Sequence, residues 1–438
     1  MLFSLVGTRV AGAFAMLLAQ LVLARTLPTD DVGYFFLALS LTSLFGLLLT
    51  MGYPAIAITY LSRYRALGST RLPAALRKAA RIDMMRVALL AFPVILVILV
   101  FAPFSTGVKT AIFAGAVGAP AVAAIRMNGA IANAARRFQL SFIPDFLLRP
   151  LCLLAFLAAL YAFLGEITLP WVLAGFLAIA YAIGAAQSWL LGPQSIAARI
   201  EPGFSRLKLS VWRTRAGLFL IVALVTVTFA DVVIFVSGLF LEAAEVAVLG
   251  VAIKLVVLVG FVTQATQQFI LSDLTAALMA GKSREANTLL LQANLVSVGV
   301  TGTAVLGCML AGDHVLGVFG TEYAAGQSLL AVLIVSQLLR AGGSMNMHLL
   351  AIEGNQAAVA KIGLVSMTAL VLVSALLAEP VGALGIAIGV VVSDMLWVVL
   401  LAVAAQRLAG RRGDLLALLI SPSPRPMRRD ARYRTERH

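Results

Sequence analysis

The sequence predicts an all-α polytopic membrane protein with about twelve transmembrane helices in two pseudo-symmetric six-helix lobes. Three observations predict it: twelve apolar stretches of spanning length, basic residues on alternate connections, and similar segments in the two halves. Hydrophobic residues make up 61% of the 438 residues and charged residues 12%, whereas globular domains contain about 25% charged residues. A soluble core of this size is therefore excluded.

Each apolar stretch is close to the roughly 20 residues that an α-helix needs to cross a bilayer. The stretches lie at residues 3–25, 33–58, 84–104, 107–131, 140–163, 168–192, 213–240, 246–271, 289–310, 327–350, 361–379 and 382–406. The connections on the predicted outer side are short. The chain therefore has no room for a catalytic domain outside the membrane.

Basic residues are distributed asymmetrically along the chain. Most of the 33 Lys and Arg residues lie on connections after even-numbered stretches or in the C-terminal tail. The opposite connections carry acidic residues such as Asp30, Asp31, Glu242 and Glu245. Because basic loops stay in the cytoplasm, both termini are predicted to be cytoplasmic. The formal charge of +14 is therefore interpreted as topology, and no nucleic-acid partner is expected.

Similar segments in the two halves indicate an internal repeat. Residues 32–41 (VGYFFLALSL) and 246–255 (VAVLGVAIKL) each follow an acidic connection and open an apolar stretch. Each is followed by an amphipathic segment, at 71–83 and 284–294. Both copies have the same orientation, which predicts two parallel six-helix repeats with a site between them.

The repeat sets the predicted domain boundaries. We predict an N-terminal lobe at 1–200, a C-terminal lobe at 201–410 and a basic cytoplasmic tail at 411–438. The tail combines Arg with Pro and Ser, so it is expected to be disordered in solvent or to lie on anionic lipid headgroups.

Several functions lack the residues that they require. The chain has no Walker A pattern and no Cys/His metal spacing, so a single-chain ATP-driven pump and a metal site are not predicted. Only three His residues occur, too few for a histidine relay. Cys152 and Cys308 fall inside apolar stretches and are predicted to be reduced and buried. No catalytic residue is predicted.

Eight ionisable residues lie deep in the predicted spans, where a charge is costly unless it faces protein or water. These residues are Arg9, Arg126, Asp145, Arg149, Asp231, Lys254, Arg340 and Asp394. Basic groups outnumber acidic ones, which suits an anionic ligand. Arginine in particular offers a phosphate two parallel donors.

Some of these charges are expected to neutralise each other. Asp145 and Arg149 are four residues apart, so a helix places them on one face. Asp231 and Lys254 are predicted at similar depth on adjacent helices, as a structural ion pair or, for Asp231, as a protonatable coupling group. Asp394 is also a candidate for coupling or pairing.

Three arginines have no evident local partner in the sequence. Arg9, Arg126 and Arg340 are therefore predicted to line a cationic cavity. For Arg9 and Arg126 the alternative is that the long side chain snorkels to the membrane interface.

Short motifs follow one another in a defined order over residues 1–407. The central ones are 231–235 (DVVIF), 241–255 (LEAAEVAVLGVAIKL) and 267–274 (QQFILSDL). Others are 23–34 (LARTLPTDDVGY), 134–138 (AARRF), 319–323 (FGTEY) and 353–356 (EGNQ). In order and spacing they resemble bacterial polysaccharide and O-antigen flippases. Those proteins belong to the multidrug/oligosaccharidyl-lipid/polysaccharide (MOP) exporter superfamily.

The resemblance implies a function and a location. It implies two six-helix bundles that face a cavity and move an undecaprenyl-pyrophosphate-linked oligosaccharide across the bacterial inner membrane, from the cytoplasmic to the periplasmic leaflet. The implied partners are this lipid-linked oligosaccharide, membrane lipids and, as a further candidate, a glycan polymerase. No cofactor and no enzymatic activity are implied, and an H⁺ or Na⁺ gradient is the candidate energy source. The related lipid II flippases generally have fourteen helices, so twelve favours the polysaccharide branch.

Two alternatives remain open. A small-molecule antiporter of the multidrug branch would be expected to have a carboxylate-rich cation site, whereas Asp231 and Asp394 are the only deep carboxylates besides Asp145, which is expected to pair with Arg149. A membrane glycan polymerase or ligase would be expected to expose a large outer loop with basic catalytic residues, which this chain lacks. A major-facilitator transporter is disfavoured because the connection at 62–83 lacks the Gly-x-x-x-Asp-Arg pattern.

Overall fold

The computed structural model describes residues 2–68, 71–192, 206–227 and 229–420. All regular structure in these residues is helical. Twelve helical segments among them are long and apolar enough to cross a membrane. The chain is therefore an all-α polytopic membrane protein, which confirms the predicted fold class.

The first part of the chain forms eight helices. They are α1 (Leu2–Thr26), α2 (Thr29–Thr50), α3 (Tyr53–Ala66), α4 (Arg71–Phe101), α5 (Thr106–Ala134), α6 (Phe138–Ile143), α7 (Arg149–Leu164) and α8 (Leu169–Leu191). A π-helical segment, Pro144–Leu148, joins α6 to α7.

The second part of the chain forms ten more helices. They are α9 (Arg206–Thr226), α10 (Phe229–Phe240), α11 (Ala243–Met279), α12 (Ser283–Gly317), α13 (Thr321–Ala324), α14 (Gln327–Gly343), α15 (Met345–Ile352), α16 (Gln356–Val381), α17 (Ala383–Ala404) and α18 (Leu415–Ile420). A second π-helical segment, Ala405–Ala409, follows α17.

The described residues group into two compact units. Unit 1 contains the chain up to Lys254, together with Asp313–Gly326 and Ala378–Ala383. Unit 2 contains Leu255–Gly312, Gln327–Leu377 and the residues from Leu384 onward. The division into lobes at 1–200 and 201–410 stays a prediction.

One predicted span, at 33–58, is two helices rather than one. Met51 and Gly52, with φ angles of 49° and 77°, separate α2 from α3. Glycine is required at position 52 for a second reason, because a Cβ there would lie 2.0 Å from the carbonyl oxygen of Ala216 in α9. The prediction of a continuous helix is wrong because the left-handed turn lets α9 pack against the chain at this point.

A second predicted span, at 213–240, is also interrupted. Helix α9 ends at Thr226, and α10 begins at Phe229. The sequence at 225–228 (VTVT) is a run of β-branched residues, which restrict side-chain rotation and weaken helix formation. The prediction of one helix is therefore wrong, and Asp231 lies in the first turn of a separate helix.

Helix α1 lies very close to the π-helical segment. A Cβ built on Gly12 would lie only 1.6 Å from the carbonyl oxygen of Phe146. This carbonyl lacks an i+4 helical donor because residue 150 is proline, which has no N–H group. Gly12 thus allows α1 to cover the π-helical segment, as small residues do between membrane helices.

The first ten residues of the predicted tail pack against unit 2. Nδ2 of Asn294 donates a hydrogen bond to the backbone oxygen of Gly413 at 2.7 Å. The backbone N–H of Gly413 donates to Oδ1 of Asn346, also at 2.7 Å. Leu418 of α18 is buried. The prediction of a disordered or lipid-bound tail is therefore wrong for 411–420. Residues 421–438 lie outside the described part of the chain.

Asp414 fixes the start of α18. Its Oδ1 accepts a hydrogen bond from the backbone N–H of Ala417 at 3.0 Å, and its carboxylate pairs with Arg412. Burial alone would raise the pKa of Asp414, but these hydrogen bonds outweigh burial and its pKa is lowered. The carboxylate therefore remains charged at neutral pH.

Both cysteines are free thiols and partly exposed. The prediction that Cys152 and Cys308 are both buried is therefore wrong. A small apolar side chain in a membrane helix loses nothing by facing outward, since lipid tails are as apolar as a protein interior.

Candidate functional site

A charged cavity of about 220 Å³ lies inside unit 1. Helices α1, α2, α5, α7, α8, α10 and α11 and the π-helical segment all contribute to its lining. Five charged residues line it: Arg126, Asp145, Arg149, Asp231 and Lys254. The predicted deep residues Arg126, Asp231 and Lys254 are thus brought together, along with the pair that was expected to be structural.

Arg126 is held in place by one residue of α2. Its Nη1 donates to the backbone oxygen of Ser43 at 3.0 Å, and its Nη2 donates to Ser43 Oγ at 2.9 Å. These two bonds fix the orientation of a guanidinium that the fold has largely removed from water. The sequence gives Arg126 no local partner, and the fold supplies one from a serine eighty-three positions away along the chain.

Asp145 and Arg149 form an ion pair on the wall of the cavity. Nη1 of Arg149 lies 3.2 Å from Oδ1 of Asp145, which confirms the predicted i, i+4 pair. Asp145 belongs to the π-helical segment, which is bounded by Pro144 and followed by Pro150. Single π-helical turns are frequent at functional sites, because they redirect side chains from the regular helix.

Asp231 and Lys254 line the same cavity without forming a direct ion pair. The prediction of direct pairing assumed that 213–240 is one helix. Because α10 begins separately at Phe229, Asp231 lies in its first turn and faces the shared cavity. Broken helices at membrane depth commonly supply such polar sites in transporters.

Arg9 lies in unit 1 but does not line the cavity. Its guanidinium stands over two aromatic rings, 5.3 Å from the centroid of Phe142 and 4.8 Å from that of Phe146. These are cation–π contacts, which satisfy the charge without a carboxylate. The structure therefore does not place Arg9 in the predicted cationic cavity.

Arg340 is paired within unit 2. Its Nε lies 2.7 Å from Oδ1 of Asp394, which is fully buried on α17. The expectation that Arg340 lacks a local partner is wrong, because α14 and α17 bring together two residues 54 positions apart. The structure therefore assigns Arg340 and Asp394 to each other.

A second cavity of about 340 Å³ lies between the start of α2 and the region where α10 meets α11. Two carboxylates, Asp30 and Glu242, line it together with Tyr34 and Ser105. Among the described residues, no basic side chain lines it. Its charge is therefore opposite to that of the first cavity.

Sequence reasoning missed two contributions to the charged cavity. Ser43 gave no signal, because one serine in an apolar helix usually bonds its own backbone. Asp145 and Arg149 were recognised as a pair, yet their position on the cavity wall depends on the π-helical segment. The flanking prolines at 144 and 150 were the available signal for an irregular helix.

The cavity has the chemistry of an anion site. Three basic and two acidic side chains leave one excess positive charge, and Asp145 already neutralises Arg149. Arg126 and Lys254 remain to attract a ligand, with Asp231 as the opposing charge. Guanidinium and ammonium groups in a site shielded from water bind phosphate oxygens strongly.

Comparisons with known proteins support the fold. Neither a protein-family profile nor a curated protein matches the chain, but solved structures do. A multidrug resistance transporter of the MATE family, from the MOP superfamily, is 14% identical with a TM-score of 0.73, over 94% of this chain and 96% of that one. The lipid II flippase MurJ is 13% identical with a TM-score of 0.71, over 90% and 86%.

A eukaryotic MATE transporter is 15% identical with a TM-score of 0.56, over 92% of this chain and 94% of that one. The protein is thus a polytopic helical membrane protein. More particularly, it has the fold that the MATE transporters and MurJ share. At these identities the likeness establishes the fold, and the function must be argued from the site.

Proposed function

We propose that the protein is a membrane transporter that flips an undecaprenyl-pyrophosphate-linked oligosaccharide from the cytoplasmic to the periplasmic leaflet. The observation that carries the proposal is the charged cavity, in which Ser43 orients Arg126 and where Lys254 adds a second cation. A diphosphate is a polyanion that such a pair can hold. The flipped lipid would supply a polysaccharide pathway, with a glycan polymerase as a candidate partner.

The size of the cavity supports a headgroup rather than a whole drug. Pockets that bury drug-sized ligands measure about 300–1,000 Å³, and this cavity measures about 220 Å³. A diphosphate needs little space, whereas its glycan and its lipid tail can extend into water and lipid. The likeness to MurJ, a lipid II flippase, is in keeping with a lipid-linked substrate.

The proposed energy source is an H⁺ or Na⁺ gradient. Asp231 is the candidate coupling group, because it lines the cavity with Arg126 and Lys254 and carries a carboxylate that can be protonated there. Asp394 is a weaker candidate, since it already forms an ion pair with Arg340. The proposed role involves no cofactor and no bond chemistry, so the protein is proposed not to be an enzyme.

A second candidate function is an antiporter for small organic cations. The observation that favours it is the cavity of about 340 Å³, whose charged lining residues within the described ranges are the carboxylates Asp30 and Glu242. Its volume lies in the range of drug-binding pockets. We rank this candidate second because both carboxylates belong to the acidic connections rather than to the deep charges.

Reconstituted vesicles test the proposed function. Flipping of a fluorescent undecaprenyl-pyrophosphate glycan should require the protein, whereas uptake of a fluorescent organic cation should not. The reverse result would favour the antiporter. Empty vesicles provide the control for spontaneous lipid movement.

The proposed orientation places both termini in the cytoplasm of a bacterial cell. Reporter fusions within residues 71–78 and at Arg206 are expected to report the cytoplasm, because the basic connections stay inside. Fusions at Gly165 and Asp313 should report the opposite side. A cytoplasmic signal at Gly165 would contradict both the orientation and the number of preceding spans.

A further inference from the structure

A buried carboxylate joins three helices of unit 1 outside the charged cavity. Oδ2 of Asp83 accepts hydrogen bonds from the hydroxyl of Tyr53 at 2.5 Å and from Nε of Arg213 at 2.8 Å. Oδ1 accepts a further bond from Nη2 of Arg213 at 2.7 Å. Arg213 thus forms a bidentate ion pair with the carboxylate through Nε and Nη2, which is the strongest geometry for such a pair.

The three residues come from separate helices, so their contact holds those helices together. Tyr53 opens α3, Asp83 lies in α4, and Arg213 lies in α9. Close packing surrounds them: Gly52 lies against the backbone of Ala216, and Trp212 is buried in the same apolar cluster as Tyr53. Helix α9 is the first helix of the predicted second repeat, whereas α3 and α4 belong to the first.

The network lies between the cavity and the basic connections. Ser43, which contacts Arg126 in the cavity, precedes Tyr53 by ten residues, with the left-handed turn at Met51 and Gly52 between them. Continuing in the same direction, α3 ends among the basic residues that follow Arg63. Along α2 and α3 the network therefore lies between Ser43 of the cavity and the basic residues at the end of α3.

The energetics suit a contact that opens and closes. The side chain of Asp83 is only 7% exposed, whereas that of Arg213 is 46% exposed. On release, Arg213 can regain water at little cost, and Arg86, with Nη1 3.8 Å from Asp83, remains beside the carboxylate. The Arg340–Asp394 pair differs, because Asp394 is 0% exposed and Arg340 only 27%.

Tyr53 remains a hydrogen-bond donor throughout. Burial, and next the hydrogen bond to the Asp83 carboxylate, raise the pKa of its hydroxyl. The phenol therefore keeps its proton at physiological pH. It can hold the carboxylate when Arg213 leaves.

We propose that Tyr53, Asp83 and Arg213 form a latch that closes the route from the basic connections to the charged cavity. Opening the latch separates α9 from α3 and α4 and admits the anionic headgroup. The identity of the headgroup rests on the proposed function, but closure of the route does not. Access to the cavity can therefore be measured without any substrate.

Cysteine labelling tests the latch. In a background with Cys152→Ala and Cys308→Ala, Val122→Cys places one thiol on the cavity wall. A membrane-impermeant thiol reagent is applied from the side of the basic connections, as fixed by the reporter fusions. Arg213→Ala is expected to raise the labelling rate by at least about tenfold, because it removes both charge-assisted hydrogen bonds to Asp83.

The matched control is Arg215→Ala. Arg215 lies on the same helix, is exposed, and contacts α3 only through the ring of Tyr60, without a bond to Asp83 among the described contacts. Its replacement should leave the rate unchanged. If the Arg213→Ala protein does not accumulate, Arg213→Lys is used instead. Lysine keeps the positive charge but cannot make the bidentate contact. An intermediate increase is then expected.

An unchanged labelling rate in the Arg213 variant, at normal abundance, would overturn the latch. An equal increase in Arg215→Ala would overturn it as well, because the effect would then follow from loss of charge on α9. Neither result would bear on the proposed substrate. Conversely, a confirmed latch with no flipping of the lipid-linked glycan would leave the latch in place and remove the proposed function.

Discussion

Arg126→Ala is expected to reduce flipping of the lipid-linked glycan by about ten- to a hundredfold, the loss of a charge-assisted hydrogen bond to phosphate. The amount of folded protein should stay unchanged. Within the described part of the chain, the hydrogen bonds of Arg126 go to Ser43, and the Ser43 hydroxyl can turn to its own helix when the guanidinium is gone. Initial flipping rates in vesicles with matched protein content provide the measurement.

Two further variants separate charge from geometry at this position. Arg126→Lys should recover only part of the rate, because lysine keeps the positive charge but cannot offer two parallel donors. Arg9→Ala is the matched control, since Arg9 is a deep arginine of the same unit that contacts Phe142 and Phe146 instead of the cavity. Equal losses in Arg9→Ala and Arg126→Ala would contradict a specific role for the cavity.

Arg340→Ala is expected to deplete folded protein from the membrane rather than to impair transport selectively. Removing the arginine leaves the carboxylate of Asp394 buried and unpaired, which costs about 3–5 kcal/mol. This is a large part of the stability of a typical protein. Membrane abundance and the thermal midpoint of the purified protein measure the effect.

The double variant Arg340→Ala/Asp394→Ala should recover part of the lost stability, because no unpaired charge then remains. Asp394→Asn alone is expected to be milder than Arg340→Ala, since Arg340 is partly exposed and can be hydrated. Normal abundance of Arg340→Ala with loss of flipping would contradict a structural role. Arg340 would then be a candidate binding residue instead of a structural one.

The span count could be predicted from the sequence because hydrophobic length is a local property. Broken helices could not be placed in the same way. The turn at Met51 and Gly52 is stabilised by contact with α9, which lies more than 150 residues away. The interruption after Thr226 had a local signal in the β-branched run, but that run also suits a continuous apolar span.

The candidate site was predicted in part. Depth in the membrane identified Arg126, Asp231 and Lys254, which the structure brings to one cavity. It also selected Arg9 and Arg340, because local sequence spacing reveals neither the aromatic rings around Arg9 nor the carboxylate opposite Arg340. Pairing between helices far apart in the chain is a tertiary property.

The latch was missed for a related reason. Asp83 ends the predicted amphipathic segment 71–83 and Arg213 begins the predicted span 213–240, so neither was among the deep charges. In the structure, Asp83 lies within the long helix α4 and is nearly buried. A lone acidic residue among many basic ones was the available signal.

A comparison of two lipid carriers in the flipping assay tests the central claim most directly. This claim is that the charged cavity of unit 1 recognises a diphosphate headgroup. Undecaprenyl carriers that share one glycan and differ only in a pyrophosphate or a monophosphate link are compared in the same vesicles. The account predicts faster flipping of the pyrophosphate carrier, and loss of this preference in Arg126→Ala. Equal rates for both carriers, or a preference that Arg126→Ala retains, would contradict the account.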